Sequence, residues 1–359
     1  MKKLLLVCLV LMPIKSVYAL TCTYITGREA INTTIQLQGA NITVGPDMPD
    51  GTVLYRQYFK PSFQPAINCD GGHTFTVNDV IRLAPRPLSS WNGNPYPGQI
   101  YETGVPGIGF VAWYSGTPFP RLRTQGTAPG SVTRSFAPEF DISLVKIGPV
   151  TPGILLGSNL LTVGVDYNVQ GVPTMPILTA NFGGSINIVS RTCTTPSNIN
   201  VQLGSHNINT EFKSVGSVTP WIDASIKFTD CPYFYGTKED GRNFFYSNDG
   251  TQGTGASKAN TITVSLTPSN PIINSASGIM AVNSSTQMPA AQGVGIQLGS
   301  GNNTETPVPF NFGSTPRFTP ANDGTPTFKI PLSARYYQTS ATVQPGRADG
   351  RLTFTINYY

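Results

Sequence analysis

The chain ends in Gly350-Arg-Leu-Thr-Phe-Thr-Ile-Asn-Tyr-Tyr359, the most regular apolar alternation in its sequence. This alternation puts Leu352, Phe354, Ile356 and Tyr358 on one face of a strand. Terminal residues usually fray unless something holds them in place. The sequence therefore predicts a final β-strand whose apolar face is covered by other parts of the fold or by another chain.

The composition of the whole chain also favours strands and turns. Charged residues make up 11% of the chain, whereas Gly (37) and Pro (31) are frequent, and this balance works against helices. Short β-rich runs alternate with turn clusters in both halves, and one of them is predicted at residues 198–203. This pattern predicts an all-β protein built from β-sandwiches or β-barrels.

Residues 1–19 have the pattern of a secretory signal peptide. Lys2 and Lys3 precede an apolar run over 4–12, and small residues at 17–19 form a cleavage site. No apolar run reaches the roughly 20 residues that a membrane helix needs. We expect a secreted mature chain that begins at Leu20.

Charge gives little indication of a partner. Without the three lysines of the signal segment, the formal net charge falls from +5 to +2. No dense basic run is present, which argues against nucleic acid as the partner.

Four cysteines remain in the mature chain: Cys22, Cys69, Cys193 and Cys231. Four cysteines allow three connectivities, and the wide gap between Cys69 and Cys193 favours two local bridges, one in each domain. The mature chain is longer than one all-β core usually spans. We therefore predict two domains, at 20–182 and 183–359.

Catalysis has little support in the sequence. The two histidines, His73 and His206, fall in different predicted domains, and no nucleophile-elbow motif surrounds them. The cysteines are better explained as disulfides than as metal ligands. We expect a non-enzymatic protein without cofactor or metal.

Binding residues are easier to propose. The loop 89–97 carries Trp91, Asn92 and Tyr96, and Asp70 and Asp79 follow Cys69. Aromatic faces stack on sugars or grip peptides, while amides and carboxylates bind hydroxyl groups. Packing of Trp91 and Tyr96 beneath a long loop is an equally acceptable explanation.

Several spaced motifs of the second half resemble pilin subunits of chaperone–usher fimbriae. They are Cys193, the segments 198–204 (NINVQLG), 226–232 (IKFTDCP), 293–298, 328–339 and 343–346, and Tyr358. The resemblance covers about 185–359. It implies an incomplete immunoglobulin-like domain in which Leu352, Phe354, Ile356 and Tyr358 border a groove for a donated strand.

The first half resembles the lectin-like receptor-binding domain of two-domain fimbrial tip adhesins. The matching segments are 20–22, 101–109 and 144–153. With this resemblance, the disulfides are expected to be Cys22–Cys69 and Cys193–Cys231. Leu20 and Asp79 match pocket positions of the mannose-binding member, whereas Gly71, Gly72 and the loop 148–153 depart from it. The departures argue against mannose as the ligand.

The resemblance implies a fimbrial tip adhesin, exported through the periplasm to the bacterial surface. Cys22 would be the third mature residue, which leaves no N-terminal arm to donate and favours the tip position. Expected partners are a periplasmic chaperone, an outer-membrane usher, the next subunit as strand donor and a host glycan. The alternatives are a protein receptor such as matrix collagen, or a structural tip or adaptor subunit without a receptor.

Overall fold

The computed structural model describes residues 19–38, 41–190, 192–239, 245–253, 255–283 and 289–359. The predicted signal peptide therefore lies almost entirely outside the described residues. The helices among them are the short Ile208–Glu211 (α1) and a 3-10 turn at Gly157–Asn159. No helix in these ranges has the length and apolar character needed to cross a bilayer. The predicted all-β class is confirmed.

Within the described residues, sixteen strands, β1 to β16, make up the N-terminal sandwich. They are, in order, Cys22–Tyr24, Ile31–Gln36, Asn41–Thr43, Val53–Phe59, Ala66–Cys69, His73–Leu83, Tyr101–Glu102, Ile108–Tyr114, Thr117–Pro118, Arg121–Ala128, Val132–Ser135, Phe140–Lys146, Gly153–Leu156, Thr162–Val169, Met175–Gly183 and Ser185–Val189.

Two large sheets enclose the core of the N-terminal sandwich. One has the order β10-β6-β14-β15-β2, and the other contains β4-β12-β8-β7. Buried side chains of both sheets form a single cluster, in which Phe110 of β8 packs edge-on against Phe182 of β15 with ring centroids 5.3 Å apart. The outer face of β8 and β12 is apolar as well. The loop 84–100 packs over this face and covers it.

Strand β16 belongs to this first core. It pairs antiparallel with β13 and parallel with β3, and Ile186 and Ile188 are buried in the cluster. The boundary predicted at 182/183 would assign β16 to the second domain, whereas in the structure the first core continues to Val189. Gly183 ends β15, and Gly184 alone separates it from β16, so the chain passes from one strand to the next at the predicted boundary.

Twelve strands, β17 to β28, follow in the described part of the second half. They are Ile222–Asp223, Ile226–Phe228, Phe245–Tyr246, Ile262–Pro268, Ile272–Asn274, Ile279–Ala281, Val294–Ser300, Val308–Pro309, Arg317–Phe318, Phe328–Ile330, Leu332–Gln338 and Leu352–Tyr358. All except β19, which pairs with β4 of the first sandwich, form the C-terminal sandwich. Its sheets are β17-β27-β23-β22-β21, β25-β20-β28 and the pair β18-β26, around a second buried cluster.

The strand predicted at 198–203 does not form. Ile199 is 36% exposed, and the segment has no ladder partner among the described residues. Alternation alone favours an extended backbone, but a strand also needs a neighbour that accepts and donates its hydrogen bonds.

Candidate binding site and open strand edge

The final strand β28 is paired along one edge only. It runs antiparallel to β20, with Leu352 opposite Pro268 and Tyr358 opposite Ile262. Within the described ranges, no strand pairs with its other edge. An unpaired edge presents a row of free backbone N–H and C=O groups, which is a template for another strand.

The register identifies which residues carry these free groups. Thr261 and Tyr359 exchange both backbone hydrogen bonds, at 2.8 and 2.9 Å. In an antiparallel ladder such pairs recur at every second residue. Thr353, Thr355 and Asn357 therefore point their backbone groups at β20, whereas the even-numbered residues from Leu352 to Tyr358 point theirs at the open edge.

The side chains of these even-numbered residues face the second core without being fully covered. Leu352, Phe354 and Ile356 are only partly buried although they pack against the core cluster, and Tyr358 is buried. Leu203, from the segment that fails to form a strand, packs against the same cluster. The edge and the half-covered apolar row together make a site shaped for an extended, alternating apolar chain.

Both disulfides join the expected partners. Cys22 of β1 is bonded to Cys69, its direct neighbour on β5, and Cys193 is bonded to Cys231. Thr194 and Thr229 exchange backbone hydrogen bonds beside the second bridge. Each bridge lies within one sandwich.

Two of the proposed ligand residues lie together beside the first disulfide. The backbone N–H of Thr21 donates to Asp70 Oδ1 at 2.9 Å, and Asp70 N–H donates to Thr21 O at 3.1 Å. Leu20 packs against the first core. Leu20 and Asp70 are therefore neighbours on the surface around the bridge.

Asp79 occupies a different environment from the one expected for a ligand residue. Its side chain is fully buried, and it forms ion pairs with Arg121 Nε (3.0 Å) and with Arg123 (2.7 Å). Burial raises the pKa of Asp79, and the two guanidinium groups oppose this shift. The carboxylate is thus engaged inside the sandwich and has no exposed oxygen for a receptor.

A β-bulge explains how two arginines reach one carboxylate. The pairing of β10 with β6 shifts between Leu122 and Thr124, so Arg123 is the extra residue. Arg123 also donates to the carbonyl oxygens of Ala137 and Glu139, each at 3.0 Å. These contacts give Asp79 and Arg123 a structural role that the spacing from Cys69 could not reveal.

The aromatic loop lies on the opposite sheet. Trp91 donates from Nε1 to Pro95 O at 2.9 Å, and the ring of Tyr96 lies 5.9 Å from that of Trp113. Burial raises the pKa of the Tyr96 hydroxyl to about 12. Trp91 and Tyr96 cover the outer face of the sheet, whereas Asn92 is exposed. The six proposed ligand residues therefore occupy three separate places and form no single pocket.

A cavity that sequence reasoning missed opens among β6, β10 and β11. Its volume is about 380 Å³, and its wall combines aromatic rings, guanidinium groups and hydroxyls: Phe75, Arg123, Thr124, Thr133, Arg134, Ser135 and Phe136 are among its residues. The Arg134 guanidinium lies 3.9 Å from the centroid of the Phe75 ring.

Buried polar groups support the base of this cavity. His73 Nδ1 donates to Gly71 O at 2.8 Å, and its Nε2 is hydrogen-bonded to the Tyr167 hydroxyl at 2.7 Å. The ring of Tyr167 packs against Phe75 and Phe136, with centroids 5.5 and 5.1 Å away. The alternation within 132–135 was a signal that could have predicted an inward-facing Arg134. Its partner Phe75 lies on β6, far away in the sequence, and could not be predicted in this way.

Comparison with known proteins gives relatives along the whole chain. A fimbria adhesin protein of Klebsiella pneumoniae is 27% identical, over 90% of each chain. The CupB6 tip adhesin of Pseudomonas aeruginosa has a similar structure (TM-score 0.38, 15% identity, 94% of each chain). The receptor-binding domain of the adhesin MrkD1P of Klebsiella pneumoniae matches 49% of this chain and 98% of its own (TM-score 0.35, 20% identity).

The family is established by the second half of the chain. The model of the family described as fimbrial protein matches residues 180–359, which is half of the chain and includes β28 with its open edge. This chain belongs to the fimbrial protein family.

Proposed function

We propose that the chain is the tip adhesin of a chaperone–usher fimbrium. The N-terminal sandwich binds a receptor on the host surface, and the C-terminal sandwich accepts a strand from the next subunit. The observation that carries the proposal is the unpaired edge of β28 beside a half-covered apolar row. The Klebsiella relative, named as a fimbria adhesin and aligned over both halves, supports the adhesin role.

Strand acceptance follows from the free groups of β28. An added strand would satisfy the backbone of Leu352, Phe354 and Ile356 and cover their side chains, which is β-augmentation. In the periplasm this strand would come from a chaperone, and after assembly at an outer-membrane usher from the next subunit. The tip position and the export route are parts of this proposal.

A host glycan is the receptor class that we favour. The cavity beside Arg134 combines an aromatic face with guanidinium and hydroxyl groups, which suit the apolar and polar faces of a sugar ring. Its volume of about 380 Å³ lies at the small end of ligand pockets and fits a short saccharide rather than a folded protein surface.

Two experiments test the two halves of the proposal. Expressed with its periplasmic chaperone, the full chain should form a soluble one-to-one complex, and without it the chain should aggregate or be degraded. A stable monomer made without chaperone or strand peptide would contradict strand acceptance. Glycan-array binding by the chaperone complex should identify saccharides, whereas binding to matrix proteins alone would favour the protein-receptor alternative.

A further inference from the structure

The open edge of β28 is closed at one end by the N-terminal sandwich. Tyr358 is the last residue whose backbone points at the open edge, and its N–H donates to Asp47 Oδ2 at 2.8 Å. Asp47 lies in the turn that follows β3 and is exposed. One free group of the edge is therefore already occupied by the other sandwich.

The same turn also blocks the carbonyl side of Tyr358. A Cβ atom at Gly45 would collide with the Tyr358 carbonyl oxygen, so only glycine allows the turn to lie this close. A strand added along β28 would need the space that Gly45 and Asp47 fill. Within the described ranges, the N–H and C=O groups of Phe354 and Ile356 form no comparable backbone hydrogen bond.

Buried hydrogen bonds hold this turn in place. Asn260, which is 5% exposed, donates to Thr43 O at 3.0 Å and to Tyr359 O at 3.2 Å, and accepts from Gly236 N at 2.8 Å. Thr43 N–H donates to Gly236 O at 3.1 Å. Because these bonds join β3 directly to the end of β28, the turn has a fixed position at the edge.

We infer that the Gly45–Asp47 turn is the end stop of the strand-accepting edge, so that an incoming strand pairs with Leu352 to Ile356 and ends before Tyr358. The inference rests on the proposed strand acceptance. It makes the receptor-binding half part of the subunit joint. It also sets a chemical requirement on the partner, because the end of the added strand lies beside the Asp47 carboxylate.

That requirement is a lysine, arginine or uncharged residue at the end of the strand, and an acidic residue is disfavoured. No ion pair among the described residues includes Asp47. Its charge is therefore available to the incoming strand. An exposed pair of charges changes affinity modestly, so exchanging lysine for glutamate should weaken binding about fivefold.

The test uses two peptides with a core of alternating valine and threonine that is as long as Leu352–Ile356, the part of β28 left for pairing. One peptide carries an added lysine at each end, and the other carries an added glutamate at each end. Relative affinities are measured as the peptide concentration that displaces the chaperone from its complex with the full chain or with the Asp47→Asn variant, which keeps an acceptor for Tyr358 N–H. The lysine peptide should bind about fivefold more tightly to the unaltered chain, and the ratio should approach one in the variant.

Glu305→Gln is the matched control, because Glu305 is an exposed acid in a loop of the C-terminal sandwich, to which β28 belongs. This variant should keep the affinity ratio of the lysine peptide to the glutamate peptide that the unaltered chain shows. A ratio that survives Asp47→Asn, or no preference in the unaltered chain, would overturn the end stop while strand acceptance stands. Failure of both peptides to bind the unaltered chain would overturn strand acceptance and the end stop with it.

Discussion

The two disulfides provide a reciprocal test of the two-sandwich architecture. The perturbation is removal of the first bridge by Cys22→Ser with Cys69→Ser, compared with removal of the second by Cys193→Ser with Cys231→Ser. The first pair is separated by 47 residues and the second by 38. In the chain-entropy model, loops of these sizes each contribute about 4 kcal/mol to the free energy of unfolding.

A loss of about 4 kcal/mol is a large fraction of the roughly 5–15 kcal/mol that stabilises a typical domain. Each double variant should therefore unfold the sandwich that holds the bridge and leave the other folded. The assay is urea unfolding of the chain with bound strand peptide, followed by hydrogen exchange resolved for β1–β16 and β17–β28. The assignment would be refuted if one double variant lowered the free energy of unfolding of both sandwiches equally. It would also be refuted if neither variant lowered it in either sandwich.

Three further predictions concern particular side chains. Asp79→Ala should lower the free energy of unfolding of the N-terminal sandwich by about 3–5 kcal/mol in denaturant titrations, because it removes the carboxylate that two partly buried guanidinium groups share. Glu239→Ala, which removes an exposed ion pair with Lys258, should cost under about 1 kcal/mol in the same titrations. Phe354→Lys should abolish recovery of the chaperone complex, whereas Thr355→Lys, on the exposed face of the same strand, should not; equal recovery would contradict the assigned faces. Arg134→Ala should lower glycan binding at least about tenfold while chaperone binding is unchanged, and unchanged glycan binding would move the receptor site elsewhere.

Local pattern predicted the final strand of the C-terminal half. The alternation of 352–358 is visible in the sequence, and β28 has those bounds. The same argument failed at 198–203, although Ile199, Val201 and Leu203 alternate there too. The difference is a partner: β28 lies beside β20, whereas 198–203 has no strand beside it among the described residues.

The candidate sites were harder to predict because distant residues build them. Asp79 and Arg123 meet through a bulge between β6 and β10, and Asp47 meets Tyr358 across the two sandwiches. Neither contact leaves a spacing signal in the sequence. Trp91 and Tyr96 show the opposite error. Their loop has the composition of a binding site, but in the structure both side chains pack over a sheet face.

Residue-resolved amide hydrogen exchange along β28 tests the open edge most directly. In the full chain freshly released from its chaperone at low concentration, the amides of Phe354 and Ile356 should exchange rapidly, whereas those of Thr355 and Asn357, which point at β20, should be protected. Adding a strand peptide should then protect Phe354 and Ile356. Equal protection of all four amides in the free chain would contradict the account, because it would mean that the edge of β28 is already paired.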